Sequence, residues 1–335
     1  MGIPMMNFRR FFALFLALTM GAALAAAESC LTTGDMDAAT KSAIENTARQ
    51  FYQYTAAGDV MSLRNQAIPA LSGNFSGIER AVLDNKDAFT GTQANIYSTY
   101  LLDATGGEPT IASAMFVCGV YNSANRLQFS IPNLPAGKYA LVIMDANGAK
   151  GPYWLSLILQ QTGASWQLAG FYPKARRVGD KGAGWFLTQA RDYRAKGELH
   201  NAYFYYVTAR DLALPVSFMM TRPVEKLDSE AEPIVPKDIP GEQPATIASP
   251  AGKSYQVTQI FPVPVGSGMN LVIKYKALGE VSDTRSRFSD NMDLIKAFAA
   301  KYPEYRTAFA GFVARAVDPA TGADYGTVLA MNDIR

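Results

Sequence analysis

Apolar and polar positions change rhythm several times along this chain. From Asp35 to Ala57, residues Ile44, Ala48, Phe51, Tyr52 and Thr55 recur at helical spacing, which predicts a helix capped by Asp35 or Asp37 and stopped at Gly58. Residues 60–67 and 76–86 predict two more helices. Pro69 ends the first, and Ile78, Val82 and Leu83 mark the apolar side of the second. The period then drops to two, predicting strands over 95–103, 110–121, 126–131, 139–146, 153–161 and 165–172. Gly137-Lys138, Asn147-Gly148 and Thr162-Gly163 supply turns, and turns this short favour antiparallel neighbours.

A helical rhythm returns over 185–215, where two helices flank Lys196-Gly197. Ala190, Tyr193, Gly197, Ala202, Tyr206, Ala209 and Leu212 follow the spacing of a tetratricopeptide repeat, so this segment resembles one such unit; Trp185 and Pro215 are each one position off. Tandem units of that family bind peptides on a concave face. A single copy cannot bury its apolar side alone, so it is expected as a docked helical hairpin.

Five prolines and several acidic residues between 228 and 253 predict an exposed, extended linker. Beyond it, strands are expected over 254–261 and 269–278, a helix over 287–301 and a hairpin of 306–318 with 325–331. This C-terminal segment reads as a small antiparallel α+β domain, or as one body with the helical hairpin.

Helices followed by antiparallel strands over 34–178, closing on the pair 153–161 and 165–172 with Trp166, resemble the nuclear transport factor 2-like superfamily. The resemblance implies an α+β domain, N-terminal helices on a curved antiparallel sheet, with a cone-like interior. That superfamily holds enzymes, binding modules and scaffolds alike, so it leaves function open.

The N-terminus changes the picture of where the chain works. Arg9 and Arg10 precede an apolar run from Phe11 to Ala27 that closes on three alanines, the layout of a secretory signal peptide over 1–27; a retained anchor is the alternative. Export to the periplasm or the extracellular space is expected. Losing the leader removes Arg9 and Arg10 and leaves 29 basic and 29 acidic residues. A balanced mature chain is not steered to nucleic acid or anionic lipid. No later run reaches the roughly 20 apolar residues that span a bilayer. Cys30 and Cys118 are the two cysteines, a candidate disulfide in an oxidising compartment; Cys118 could equally be a buried thiol.

Candidate chemistry is sparse. His200 is the single histidine, near the start of a helix and without a metal-ligand partner at local spacing, so a solvated or hydrogen-bonded helix residue is expected. Triads that need histidine have no second candidate, and no G-x-S-x-G elbow or phosphate loop occurs, so no metal or cofactor is implied. A carboxylate pair brought together by folding stays possible. Aromatics and a small basic cluster remain: Trp154, Trp166 and Tyr172, with Arg176 and Arg177 after the last strand of the first domain, are the candidate ligand-binding residues. The expectation is an exported, non-catalytic binding or protein-interaction module for a protein or small molecule. The alternative is a hydrolase or isomerase with a carboxylate site in the first-domain cavity.

Overall fold

The computed structural model describes residues 28–106, 108–120, 123 and 125–334; the expected leader lies outside them. Strand β1 (Ser29–Thr32) leads into helices α1 (Ala38–Ala57), α2 (Val60–Asn65), α3 (Pro69–Ser72) and α4 (Ser76–Phe89). Asp37 caps α1 by accepting from the Thr40 amide at 2.9 Å, and Gly58 ends it in the left-handed region at φ 70°. Strands β2 (Asn95–Asp103), β3 (Thr110–Cys118), β4 (Leu127–Pro135), β5 (Lys138–Gly148), β6 (Gly151–Thr162) and β7 (Ser165–Ala175) follow.

These strands form two sheets. The first runs β1-β2-β5-β6-β7 and is antiparallel throughout. Strand β5 is apolar on both sides, as a strand covered on both faces must be. Val142 and Met144 face α1 and α4 with Ile44, Phe51 and Phe89. Leu141 and Ile143 face the second sheet with Phe116, Phe129 and Leu134. The curved, cone-like sheet expected from the sequence is corrected here: the sheets are open, neither curled nor closed. A second sheet fills the space where a cone interior would be, so the face opposite the helices is packed with side chains. A disulfide between Cys30 and Cys118 ties β1 to β3 and so joins the two sheets.

The short pair β8 (Arg177–Val178) and β9 (Lys181–Gly182) leads into the helical hairpin α5 (Ala183–Ala195) and α6 (Leu199–Ala213). Ala190, Ala202 and Ala209 are fully buried and let the helices approach closely, and Gly197 makes the turn at φ 79°. Strand β10 (Met219–Thr221) returns to pair with β4, completing the second sheet as β10-β4-β3.

Helix α7 (Arg222–Ala231) and strand β11 (Ala245–Ala248) occupy part of the segment expected as a linker. Two of its acidic residues, Asp228 and Glu230, pair with arginines of the hairpin. Glu230 receives Arg191 Nε and Nη2 at 2.8 and 2.7 Å, and Asp228 receives Arg210 Nε at 3.0 Å.

The third sheet runs β11, β12 (Ser254–Val265), β13 (Gly268–Lys276), β14 (Gly311–Val317) and β15 (Asp324–Ala330). Helix α8 (Thr284–Lys301) and the short α9 (Tyr305–Ala308) connect β13 to β14. That pair is parallel, a correction to the all-antiparallel expectation. A crossover helix is what makes parallel pairing possible. The hairpin packs on this unit, sharing one core in which Phe204, Tyr205 and Tyr206 meet Phe298, Tyr305 and Phe309. Tyr205 also donates to the Ala308 carbonyl at 2.6 Å.

Candidate functional site

Period-two alternation builds one face of the first sheet near its end. Asp145 on β5 pairs across to Trp154 on β6, and Trp154 pairs to Lys174 on β7. Asn147 lies two residues further along β5, and Arg176 lies two residues beyond Lys174, just past the end of β7, where its amide still bonds the Pro152 carbonyl at 3.0 Å, so they share that face. The helical hairpin stands against this end through its open termini, and Lys174 bonds Asp211 near the end of α6 at 2.7 Å. Between them lies a cleft of about 520 Å³, walled by Asp145, Trp154, Arg176 and Arg177 on one side and by Ala183 and Leu212 of the hairpin on the other.

The two arginines have different fates. Arg176 donates from Nη1 to Asp145 Oδ1 at 2.7 Å, and its guanidinium carbon lies 3.9 Å from the Trp154 ring centroid. Carboxylate and aromatic face together hold it in place. Arg177 is exposed and, among the described residues, has no carboxylate within ion-pair distance. Its electrostatic neighbour Asp180 is bonded to Lys181 at 2.9 Å. The cleft thus holds one neutralised cation and one unpaired cation.

Of the five sequence candidates, Trp154, Arg176 and Arg177 meet here. Tyr172 shares the face but packs edge-on against Phe218, centroids 5.5 Å apart, which keeps it out of the cleft. Trp166 sits near the other end of β7, roughly 30 Å from Arg176 at about 3.3 Å per residue, in the helix-facing core. Asp145 was missed, although a lone charged residue within the apolar run 139–146 was a usable signal.

Trp166 borders a second cleft of about 550 Å³ that also contains Asp37 and Asp103, the site nearest to the carboxylate alternative. Hydrogen bonds from Thr40 hold Asp37 below the usual carboxylate range. Burial works to raise Asp103, but hydrogen bonds from Thr105 and the charge of Lys138 outweigh it, and its carboxyl is also lowered. Both are ionised at neutral pH, which suits structural bonding and not proton donation.

A third cleft, of about 850 Å³, is walled by the proline-rich loop 235–246, Tyr203 and Lys301. Beside it His200 is a hydrogen-bonded helix residue, one of the two forms expected for it. Its Nε2 lies 2.8 Å from Asp238 Oδ1 and its Nδ1 3.1 Å from Glu304 Oε1. Burial works to raise Asp238, and the hydrogen bond from His200 prevails, leaving that carboxyl below its ordinary range. The three residues tie α6 to the loop and to the turn after α8. No local spacing could have flagged them, because Asp238 and Glu304 are distant in sequence.

Among the described residues, no group of three or more His, Cys, Asp or Glu side chains is arranged to hold a metal ion. No described helix is long and apolar enough to cross a membrane. No family model, no curated protein and no solved structure matches this chain, so its chemistry is read from its own residues.

Proposed function

We propose that this protein is an exported, non-catalytic binding module whose ligand seat is the cleft at Trp154, Arg176 and Arg177. The ligand is small and carries an anionic group. One observation carries the reading: Arg176 is already committed to Asp145 and Trp154, while Arg177 leaves an unpaired guanidinium at the same wall. A planar fork of donors is suited to a carboxylate or phosphate. Export rests on the N-terminal leader pattern, and the Cys30–Cys118 bond suits an oxidising compartment.

The test is a thermal-shift screen of small carboxylates, phosphates and sulfates on wild type and Arg177→Gln. At least one anion raises the melting temperature of wild type in a saturable way and leaves Arg177→Gln unmoved. Equal stabilisation of both proteins by every active anion contradicts the reading.

A further inference from the structure

His200 is the single histidine of the chain, and both of its ring nitrogens face carboxylates. Nε2 meets Asp238 on the loop 235–246, and Nδ1 meets Glu304 in the turn between α8 and α9. A neutral imidazole has one N–H and one lone pair, so it donates to only one of the two. The doubly protonated ring donates to both, and a charged donor makes the stronger bond. The Tyr302 and Tyr305 rings flank the imidazole, with centroids 5.2 and 5.8 Å away, and hold its orientation.

Histidine is the side chain that ordinarily changes charge between about pH 5 and 8. Neither Asp238 nor the two tyrosines share that range. Burial raises Asp238, but the hydrogen bond and charge of His200 outweigh it and leave the carboxyl lowered. Burial, with the charge of Asp238 beside it, pushes Tyr302 up, and burial, with Tyr302 beside it, pushes Tyr305 up. The other charged groups around the ring are engaged elsewhere or open to solvent. Glu198 on the same helix accepts from Asn201 at 2.8 Å, and Lys301 at the end of α8 lies 5.1 Å from the Tyr302 ring centroid. Arg306 on α9 reaches the Ile334 carbonyl at 3.0 Å, and Lys237 on the loop is exposed.

We infer that His200, Asp238 and Glu304 form a pH-dependent latch: the imidazolium fastens the loop 235–246 to α6, and loss of its proton loosens that loop. The contribution is complete while the ring is doubly protonated and is lost as pH rises through its titration. The loop is the part that moves. The Glu304 main chain is tied to α6 separately, its carbonyl accepting from Asn201 Nδ2 at 2.9 Å. Asp238 lies on the loop, where Tyr302 donates to its carbonyl at 3.2 Å and Ile239 packs against the hairpin core. These anchors keep the loop attached while the charged bond weakens. The loop walls the cleft of about 850 Å³, so that cleft opens further on the alkaline side. The latch stands apart from the seat at Arg177 and does not depend on it.

The test is hydrogen exchange read by mass spectrometry on the chain from residue 28, at about pH 5.5 and about pH 8, with intrinsic exchange rates divided out. In wild type the segment 235–246 exchanges about fivefold faster at the higher pH. His200→Gln, which does not titrate, and Asp238→Ala exchange fast at both pH values and show no such step. Residues 139–146 of β5 keep their protection in all three proteins and report that each is folded. Should one variant lose that protection, the other decides. A wild type without the step overturns the latch, and so does a step of equal size in His200→Gln or Asp238→Ala.

Discussion

Asp290 shows how much single residues carry in this molecule. Its carboxylate is buried and meets two cations, Lys253 Nζ at 2.6 Å and Arg287 Nη2 at 2.9 Å, and Arg287 is itself buried. Removing one partner of a buried pair strands the other charge, at a cost of about 3–5 kcal/mol. Asp290→Ala is therefore expected to lose about that much stability in urea unfolding, and a loss under about 1 kcal/mol would contradict it. Glu230 makes a different, pH-dependent contribution. Hydrogen bonding by Arg191, which outweighs burial, lowers its folded pKa below the ordinary value of 4.5. Its stabilisation is thus fully present above that value and is lost as pH falls through the lowered one. Glu230→Gln should flatten the acid limb of the stability curve measured by urea unfolding between pH 3 and 7. An acid limb as steep as that of wild type counts against the bond. Residue-scale legibility followed proximity. Trp154, Arg176 and Arg177 were visible because aromatic strands end in a basic pair. The partners of His200 were not legible because its two carboxylates come from other elements.

Elements were more legible than their partners. Helix α1, both helices of the hairpin and strands β2, β5, β6 and β7 of the first sheet follow from periodicity, caps and turn residues; β1 was not predicted. What periodicity does not encode is order within a sheet, and β13 joins β14 in parallel through α8 although both strands pair antiparallel on their other sides. The expected linker shows a related limit. Acidic residues among prolines suggest solvation, yet Asp228 and Glu230 are charge partners of the hairpin. Strand β1 depends on its link to β3. The Cys30–Cys118 bond closes a sequence separation of 88 residues. Chain entropy assigns a closed loop of that size about 4–5 kcal/mol. Reduction, or Cys30→Ser with Cys118→Ala, should lower unfolding stability by that order and free the N-terminal strand to exchange its amides first. An unchanged urea midpoint after reduction would remove the disulfide from the account.

At the scale of the molecule there are two bodies: a helix-covered pair of open sheets, and a third sheet sharing its core with the hairpin. The cone interior implied by the sequence resemblance would have put a ligand inside the first body. Because the second sheet fills that space, the polar cleft forms instead at the end of the first sheet, where the hairpin's termini meet it. Among the described residues, three of the clefts lie at or beside residues singled out in the sequence. The loop cleft is larger, but the one at Arg177 combines an unpaired cation, a fixed arginine–aspartate pair and the Trp154 ring beneath that arginine. Amide chemical-shift mapping on the labelled chain from residue 28, with inorganic phosphate and acetate as the anion probes, tests this choice most directly. The account predicts shifts concentrated at residues 145–154, 174–183 and 212–213. Shifts concentrated at 235–246 or around Trp166, or none at all, would contradict it.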